Sequence, residues 1–372
     1  MRTYDLIVVG ASFAGLACAR TAAARGLRVC VLERKADPGA GVRTTGILVK
    51  EAAEDVDVPA HLTRRVRGVR LYAPNGAHVD HWAPGYYFMA TDTPGLMRWL
   101  AEEAVRSGAD LRLATPFRGA EVSDEGVAIH DAGVRAPLLI GADGAASNVA
   151  RVFGLARNTE FLAGAEWELA PEPRLDPRFL HCILDSKIAP GYIAWAVPAV
   201  NSIQLGVAVR RGKADSGAVL GTYGARLGLS EARCVGVRAG PIPVGGALRK
   251  ISAGPVMLIG DAAGHCSPLT GGGIALALRL GRRAAQLVSD WRDAGGEHPA
   301  KAMAREAPGF TVKGLMRRVL DLAPPHWVWN ATLGTAAFRG LAHAVYFHRR
   351  GAAEELPYPE QARPVTEADS RI

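Results

Sequence analysis

The chain has no paired cysteines, no long apolar run and no internal repeat, and each absence narrows what it can be. Its five cysteines, Cys18, Cys30, Cys182, Cys234 and Cys266, are odd in number and scattered, with no C-x-x-C pair. Such usage excludes a disulfide framework and a zinc site and reads as reduced thiols, so no metal is expected. No stretch reaches the roughly 18 uninterrupted apolar residues of a spanning helix. The nearest candidate, Leu322 to Phe338, is broken by Pro324-Pro325, His326 and Asn330. Met1 to Asp5 runs straight into Leu6-Ile7-Val8-Val9 with no room for a signal peptide, which predicts a cytoplasmic protein. No nucleic-acid motif or aromatic-interleaved basic stripe accompanies the net charge of +8, so nucleic acid is excluded as a partner.

What is present is ordinary globular composition, 49% hydrophobic and 22% charged, which rules out a mainly disordered chain. At roughly 150 residues per domain, 372 residues suggest two domains. The positive charge is concentrated late: residues 301–350 hold eight Lys and Arg against two acids, whereas 351–372 hold five acids against two Arg. The run Met316-Arg317-Arg318-Val319-Leu320 and the later Trp327-Val328-Trp329 read as a solvated helix face, with a basic surface touching lipid as the alternative.

Along the chain, a βαβ start comes first. Leu6–Val9 is a short apolar run of the buried parallel type, followed by Gly10-Ala11-Ser12-Phe13-Ala14-Gly15 and an Ala-rich helix stopped by Gly26. Arg28–Glu33 is the second strand, with an acid at its tip. From Val66 the period changes to two, and Pro74-Asn75-Gly76 marks a hairpin turn into Ala77–Trp82. A helix starts at Asp92-Thr93-Pro94 and ends near Ser107-Gly108. Leu138–Ile140 and Val256–Ile259 are further buried strands. Between them Arg178–Leu184, Tyr192–Val197 and Ser202–Val209 suggest a second, mainly antiparallel sheet, within a β-rich stretch from Glu160 to Arg211. A helix is expected from Gly273 to Trp291.

Three segments share one chemistry: a buried strand, then small residues, then a helix or loop. They are Gly10–Gly15; Gly141-Ala142-Asp143-Gly144; and Gly260-Asp261-Ala262-Ala263-Gly264, continuing through Pro268 to Thr270-Gly271-Gly272-Gly273-Ile274. Glycines let a backbone approach a pyrophosphate while the helix N-terminus offers free N–H groups and a positive dipole end. Ser12 stands at the middle position of the usual G-x-G-x-x-G. Glu33, beside Arg34 and Lys35, can accept from a ribose or simply be a solvated strand-end acid.

These motifs make the chain resemble the flavoproteins that include para-hydroxybenzoate hydroxylase and, more closely, the geranylgeranyl reductases. The resemblance covers about residues 1–300 and implies an α/β fold: a glutathione-reductase-like parallel-sheet FAD domain interleaved with a smaller antiparallel-sheet substrate domain and a helical C-terminal region. The segments expected are 1–62, 91–160 and 249–298 for FAD, 63–90 and 161–248 for substrate, and 299–372 for the helical region and tail. It implies FAD held by Gly10, Ser12, Ala14, Gly15, Glu33, Arg34, Arg43, Asp143, Gly144, Gly260, Asp261, Pro268, Gly271, Gly272, Gly273 and Ile274, with Asp261 toward the ribityl chain. Aromatic hydroxylases usually carry His where this chain has Gly264. The reductases carry a Cys-Gly pair near the flavin; Thr44 stands where that Cys aligns, beside the matching Arg43. Of their Tyr-x-Trp-x-Phe-Pro and Gly-x-Gly motifs, Trp195, Pro198 and Gly206 fit, Tyr192 is one place early and Ala208 replaces the last Gly. The Trp-x-Trp-x-Ile-Pro motif and catalytic Lys of flavin halogenases are not recognisable.

The expected activity is hydride transfer from reduced flavin N5 to a C=C bond of an isoprenoid or similar apolar small molecule. The alternatives are an NAD(P)H-dependent monooxygenase acting on an aromatic or polyketide-like ring, and a flavin-binding protein of low turnover. No second G-x-G-x-x-G marks a nicotinamide domain, so NAD(P)H is expected to reduce the flavin transiently. His265, Tyr192, Trp195 and Thr44 are the catalytic candidates; His265 has the intrinsic pKa for proton transfer near neutrality, against the reading of a His bonded to backbone. Tyr86 and Tyr87 could line the same pocket, and Cys266 reads as a small buried filler.

Overall fold

The computed structural model describes residues 1–210 and 216–347; Arg211 and the acidic tail lie outside the described residues. Among the described residues four sheets and ten α-helices form a mixed α/β fold. The central parallel sheet is built from the continuous apolar runs read in the sequence. Its order is Val256–Leu258, Leu139–Gly141, Leu6–Val9, Val29–Leu32 and Asp110–Arg112, with Ser252–Ala253 antiparallel on one edge. Leu6, Ile7, Val8 and Val31 are wholly buried, as strands covered on both faces require.

The first helix, Phe13–Ala24, is capped by Ser12, whose Oγ accepts from the Gly15 amide at 3.2 Å. It packs on the long helix Ile274–Ala294 so closely that a Cβ at Gly281 would lie 2.4 Å from the Ala14 carbonyl oxygen. The helix Thr93–Arg106 begins as the sequence implies, with the Asp92 carboxylate accepting from the Gly95 amide.

The second large sheet has seven strands, ordered Cys234–Pro243, Phe161–Leu169, Ile203–Arg210, Ala194–Pro198, Phe179–Ile183, Gly68–Tyr72 and His78–Trp82. It is antiparallel except where Phe179–Ile183 runs parallel to Gly68–Tyr72. One face is closed by Leu169, Leu205, Val207, Val209 and Tyr223, the last from the helix Ser216–Arg226. The other face carries Leu162, Glu166, Trp195 and Ala208. The Val66 hairpin divides at Arg67: Gly68–Tyr72 joins the large sheet, while Thr63–Val66 pairs with Phe88–Thr91 in a three-stranded sheet with Ile47–Val49. A small sheet of Arg2–Thr3, Val134–Ala136, Gly126–Ile129 and Glu121–Ser123, not foreseen in the sequence, completes the set. The chain then continues through the helices Pro299–Arg305, Thr311–Asp321, His326–Thr332 and Ala336–Phe347.

Candidate functional site

The strands Val256–Leu258, Leu139–Gly141, Leu6–Val9 and Val29–Leu32 are consecutive neighbours, so the four loops at their carboxyl ends form one continuous rim. That rim is where an open α/β sheet receives a ligand. Gly10 has φ +103°, and a Cβ there would sit 2.6 Å from the Ala142 carbonyl oxygen. A Cβ at Gly15 would be 2.0 Å from the Gly10 carbonyl oxygen. Both positions exclude side chains; Ser12 caps the Gly15 amide, and the Phe13 and Ala14 amides carry no side-chain cap. Ala14 lies one step in, its carbonyl against Gly281 and its methyl 2.9 Å from where a Gly260 Cβ would be.

Glu33 is buried, not solvated. Its carboxylate accepts from the Ala11 amide at 2.8 Å and the Lys35 amide at 3.0 Å, and each oxygen retains a lone pair for another donor. Arg34 is exposed beside it, and Lys35 donates to the carbonyls of Pro38 and Ala40. Asp143 turns inward: it accepts from Ser147 Oγ at 2.6 Å and from the amides of Asn148 and Val149, so it shapes the Gly144 turn from behind.

Asp261 lies in the short 3₁₀ turn Gly260–Ala263, facing the start of the long helix, 3.1 Å from where a Gly273 Cβ would be. Burial with no ion-pair partner among the described residues pushes its carboxyl up to about 6. Gly271 has φ +61° and Gly273 ends the loop without a side-chain cap on Ile274–Ala294, leaving that helix N-terminus open. Pro268 is buried and Ile274 half-buried where the loop enters the helix. Two helix N-termini, one capped by Ser12 and one without a side-chain cap, with a half-satisfied carboxylate at the second strand and an unpaired one at Asp261, fit a dinucleotide with two phosphates and two sugar-like polyols.

Against this rim stands the Glu166 face of the seven-stranded sheet, buried at Leu162, Glu166 and Ala208. Leu162, Ala208 and Val244 form an apolar cluster there, with Tyr192, Trp195 and Ile242 against it. Tyr192 ties the wall to the loop: its hydroxyl donates to the Thr270 carbonyl, and a Gly271 Cβ would be 3.0 Å from that oxygen. Burial raises the Tyr192 pKa, and its proton is committed to Thr270. One row of register crosses the sheet: Arg238 opposite Glu166, Glu166 opposite Gly206, Gly206 opposite Trp195. With no side chain at Gly206, the Trp195 indole lies over it, 2.2 Å from where a Cβ would be, and its N–H reaches Glu166 Oε2 at 3.1 Å. Thr45 donates to the same oxygen at 2.5 Å, and Arg238 Nε lies 3.3 Å from Oε1. Glu166 is 3% exposed; burial raises its pKa and Arg238 opposes that shift.

The loop before this network holds the other predicted residues. Thr44 is half-buried, its carbonyl accepting from Arg238 at 3.2 Å, and the aliphatic stem of Arg43 covers Gly240. His265 lacks the backbone hydrogen bond expected of its ring. It is 0% exposed, neither ring nitrogen has a hydrogen-bond partner among the described residues, and burial lowers its pKa to about 4. It is a neutral imidazole and does not titrate near neutrality. Cys266 is a buried filler, its Sγ 3.6 Å from a Gly273 Cβ position. Tyr86 packs edge-on to Phe88 and Phe347 in a cluster that Trp195 also packs against, while Tyr87 lies under the Arg65 guanidinium. The motif reading missed Glu166, Thr45 and Arg238. The signal was Glu166 itself, an acid sharing the strand face of Leu162 and Gly164.

The family of FAD-dependent oxidoreductases called DAO matches residues 5–94. The digeranylgeranylglycerophospholipid reductase of Methanosarcina acetivorans is 30% identical over 311 residues, 76% of this chain and 74% of that protein. The chain belongs to the geranylgeranyl reductase family. In fold, this FAD-dependent oxidoreductase superposes on a geranylgeranyl bacteriochlorophyll reductase-like protein of Thermoplasma acidophilum with a TM-score of 0.81, at 22% identity over 94% of this chain and 98% of that one. It also superposes on PqsL, a probable FAD-dependent monooxygenase from Pseudomonas aeruginosa, with a TM-score of 0.68 at 19% identity, over 92% and 100%. Among the described residues no helix of the oxidoreductase is long and apolar enough to cross a membrane, and no cluster of His, Cys, Asp or Glu could hold a metal.

Proposed function

We propose that the protein reduces a C=C bond of an isoprenoid or similar apolar substrate laid against the Tyr192–Trp195 side of the seven-stranded sheet. The observation that supports this most is the apolar wall of Leu162, Ala208, Ile242, Val244, Tyr192 and Trp195 tied directly to the glycine-rich loop through Thr270. FAD, when bound, supplies the hydride at flavin N5, after reduction by NAD(P)H or another donor. In this reading the parallel sheet (1–62, 91–160, 249–298) is the cofactor half and the strands of 63–90 and 161–248 the substrate half. Gly10, Ser12, Gly15, Glu33, Gly144, Gly260, Asp261 and Gly271–Gly273 bind the cofactor. Trp195 forms the wall, and Glu166 orients both Trp195 and the Arg43–Gly46 loop by accepting from the indole and from Thr45.

Gly264 supports a reductase over a hydroxylase. Its φ is +69°, and a Cβ would lie 2.3 Å from the Gly246 carbonyl oxygen, so the backbone here has no room for the histidine of the hydroxylase pattern. The test is anaerobic. Protein reduced by NADPH or dithionite is mixed with a geranylgeranyl-bearing lipid or a shorter prenyl alcohol. Return of the oxidised flavin spectrum without oxygen, with a product two hydrogens heavier per turnover, is expected. Productive reoxidation only with oxygen and an aromatic substrate would make the protein a monooxygenase, and turnover no faster than free flavin would make it a binding protein.

A further inference from the structure

The helix Thr311–Asp321 is turned inside out. An amphipathic helix of a soluble domain buries its apolar stripe and shows its charges. Here Val312, Leu315, Val319 and Leu322, spaced three, four and three apart and therefore on one face, are 72%, 65%, 54% and 80% exposed. The opposite face carries the buried charge. Arg317 is 3% exposed, pairs with Asp321 at 2.9 Å and donates to the Gly191 carbonyl. Asp321 also takes Arg210 from the seven-stranded sheet at 2.7 Å. The polar face is thus locked onto the protein, and the helix cannot roll to hide its leucines.

The exposed stripe continues into Trp327, 70% exposed at the start of the next helix. Arg318 borders the stripe beside Leu315 and Leu322, whereas Lys313 lies toward the Arg317 side, and neither has an ion pair among the described residues. Long cationic side chains beside an apolar face can place their charges among anionic headgroups while the apolar residues enter the acyl boundary. The stripe holds no acid and is bordered by the exposed Arg318, so its charge favours an anionic occupant over a second copy bearing the same cation.

We propose that Thr311–Asp321, with Leu322 and Trp327, is a docking surface for an anionic lipid bilayer. The protein then lies on the membrane without spanning it. This rests on the helix alone and holds whichever bond the enzyme reduces.

Co-sedimentation of the full-length holoprotein with phosphatidylcholine vesicles, with and without phosphatidylglycerol, tests it. Binding should be stronger to the anionic vesicles, should fall with added salt, and should shift tryptophan fluorescence to the blue in a way that Trp327→Phe reduces. The double variant Leu315→Gln/Val319→Gln should bind at least about tenfold more weakly while keeping its flavin spectrum and thermal midpoint. Lys313→Gln/Arg318→Gln should abolish the preference for anionic vesicles. No binding to either vesicle overturns the proposal. So does a Leu315→Gln/Val319→Gln variant that binds as the native chain does. If that variant instead dissociates a dimer and vesicle binding is unchanged, the occupant is a second copy.

Discussion

The rim of the parallel sheet and the Glu166 face of the seven-stranded sheet are built by opposite means. The rim works with backbone: glycines at 10, 15, 260 and 273 remove side chains, and the exposed N–H groups of two helices do the rest. The Glu166 face works with side chains: Glu166 gathers Thr45, Trp195 and Arg238 from three separate segments. A backbone site tolerates no added volume, because the atoms it would strike cannot move. A side-chain network tolerates volume wherever a neighbour can swing away, and fails when its central acceptor changes.

The largest effect should follow from breaking the backbone side. Gly15→Val would press two methyl groups toward the Gly10 carbonyl, already 2.0 Å from a Cβ. We expect protein purified without flavin and destabilised by several kcal/mol, on the order of 3 or more, measured by absorbance and thermal unfolding.

The next effect belongs to the two titratable groups enclosed behind that rim. Asp261 ionises at about 6 in the fold against 3.8 ordinarily, so folding favours its protonated form. That contribution is full below 3.8 and is lost as pH rises toward 6, at most about 3 kcal/mol. His265 runs the other way. Its pKa drops from 6.5 to about 4, so its contribution is full above 6.5 and is lost as pH falls toward 4. Between these limits the two slopes oppose each other and largely offset. In flavin-free protein, Asp261→Asn should therefore unmask a stability that climbs steeply from pH 4 to 6.5. An unchanged pH profile of the thermal midpoint would remove Asp261 from this account.

The contrast between glycines sharpens the comparison on the other sheet. At Gly206 an added Cβ meets the rigid Trp195 ring at 2.2 Å, whereas at Gly164 it meets only the tip of Ile242 at 3.0 Å. Gly206→Ala should keep its flavin and lose about 100-fold in kcat/KM, through displacement of the indole from Glu166. Gly164→Ala should stay within a few-fold. Equal losses in both would show that the wall senses volume alone and not the placement of Trp195.

The difference between the two halves also decides what the sequence could tell. The parallel sheet announces itself, because strands buried on both faces must be continuous apolar runs and the turns beyond them must be small. Leu6–Val9, Leu139–Gly141 and Val256–Leu258 were legible for that reason, and Gly10 and Gly260 with them. Cys234–Pro243 was not. It is an edge strand in which Pro241 and two glycines are tolerated, so propensity argues against it. Phe161–Leu169 hides similarly, since Glu166 and Glu168 interrupt its inner face. Trp195 and Gly206 were recognisable as motif residues, yet their reason was not: the partner that makes both necessary is Glu166, brought opposite by register across three strands. His265 shows the converse, a residue whose type suggested chemistry that its burial withdraws.

The smallest effect probes the charge on Glu166. Thr45 and Trp195 both donate to Oε2, and the Arg238 guanidinium, shared with Glu168, lies 3.3 Å from Oε1. That arrangement holds an anion, even though burial raises its pKa. Glu166→Gln keeps the shape but turns an N–H₂ group toward other donors. We expect the flavin to be retained and kcat to fall about tenfold, with Thr45→Val falling less because it removes a single donor. In the native enzyme, protonation of Glu166 should reduce kcat on the acid side, at a pH above the ordinary carboxylate range because burial moves it there. Glu166→Gln should lose that acid limb. A variant that keeps both the native kcat and the native limb would show that the network holds the two sheets together and leaves the reaction alone.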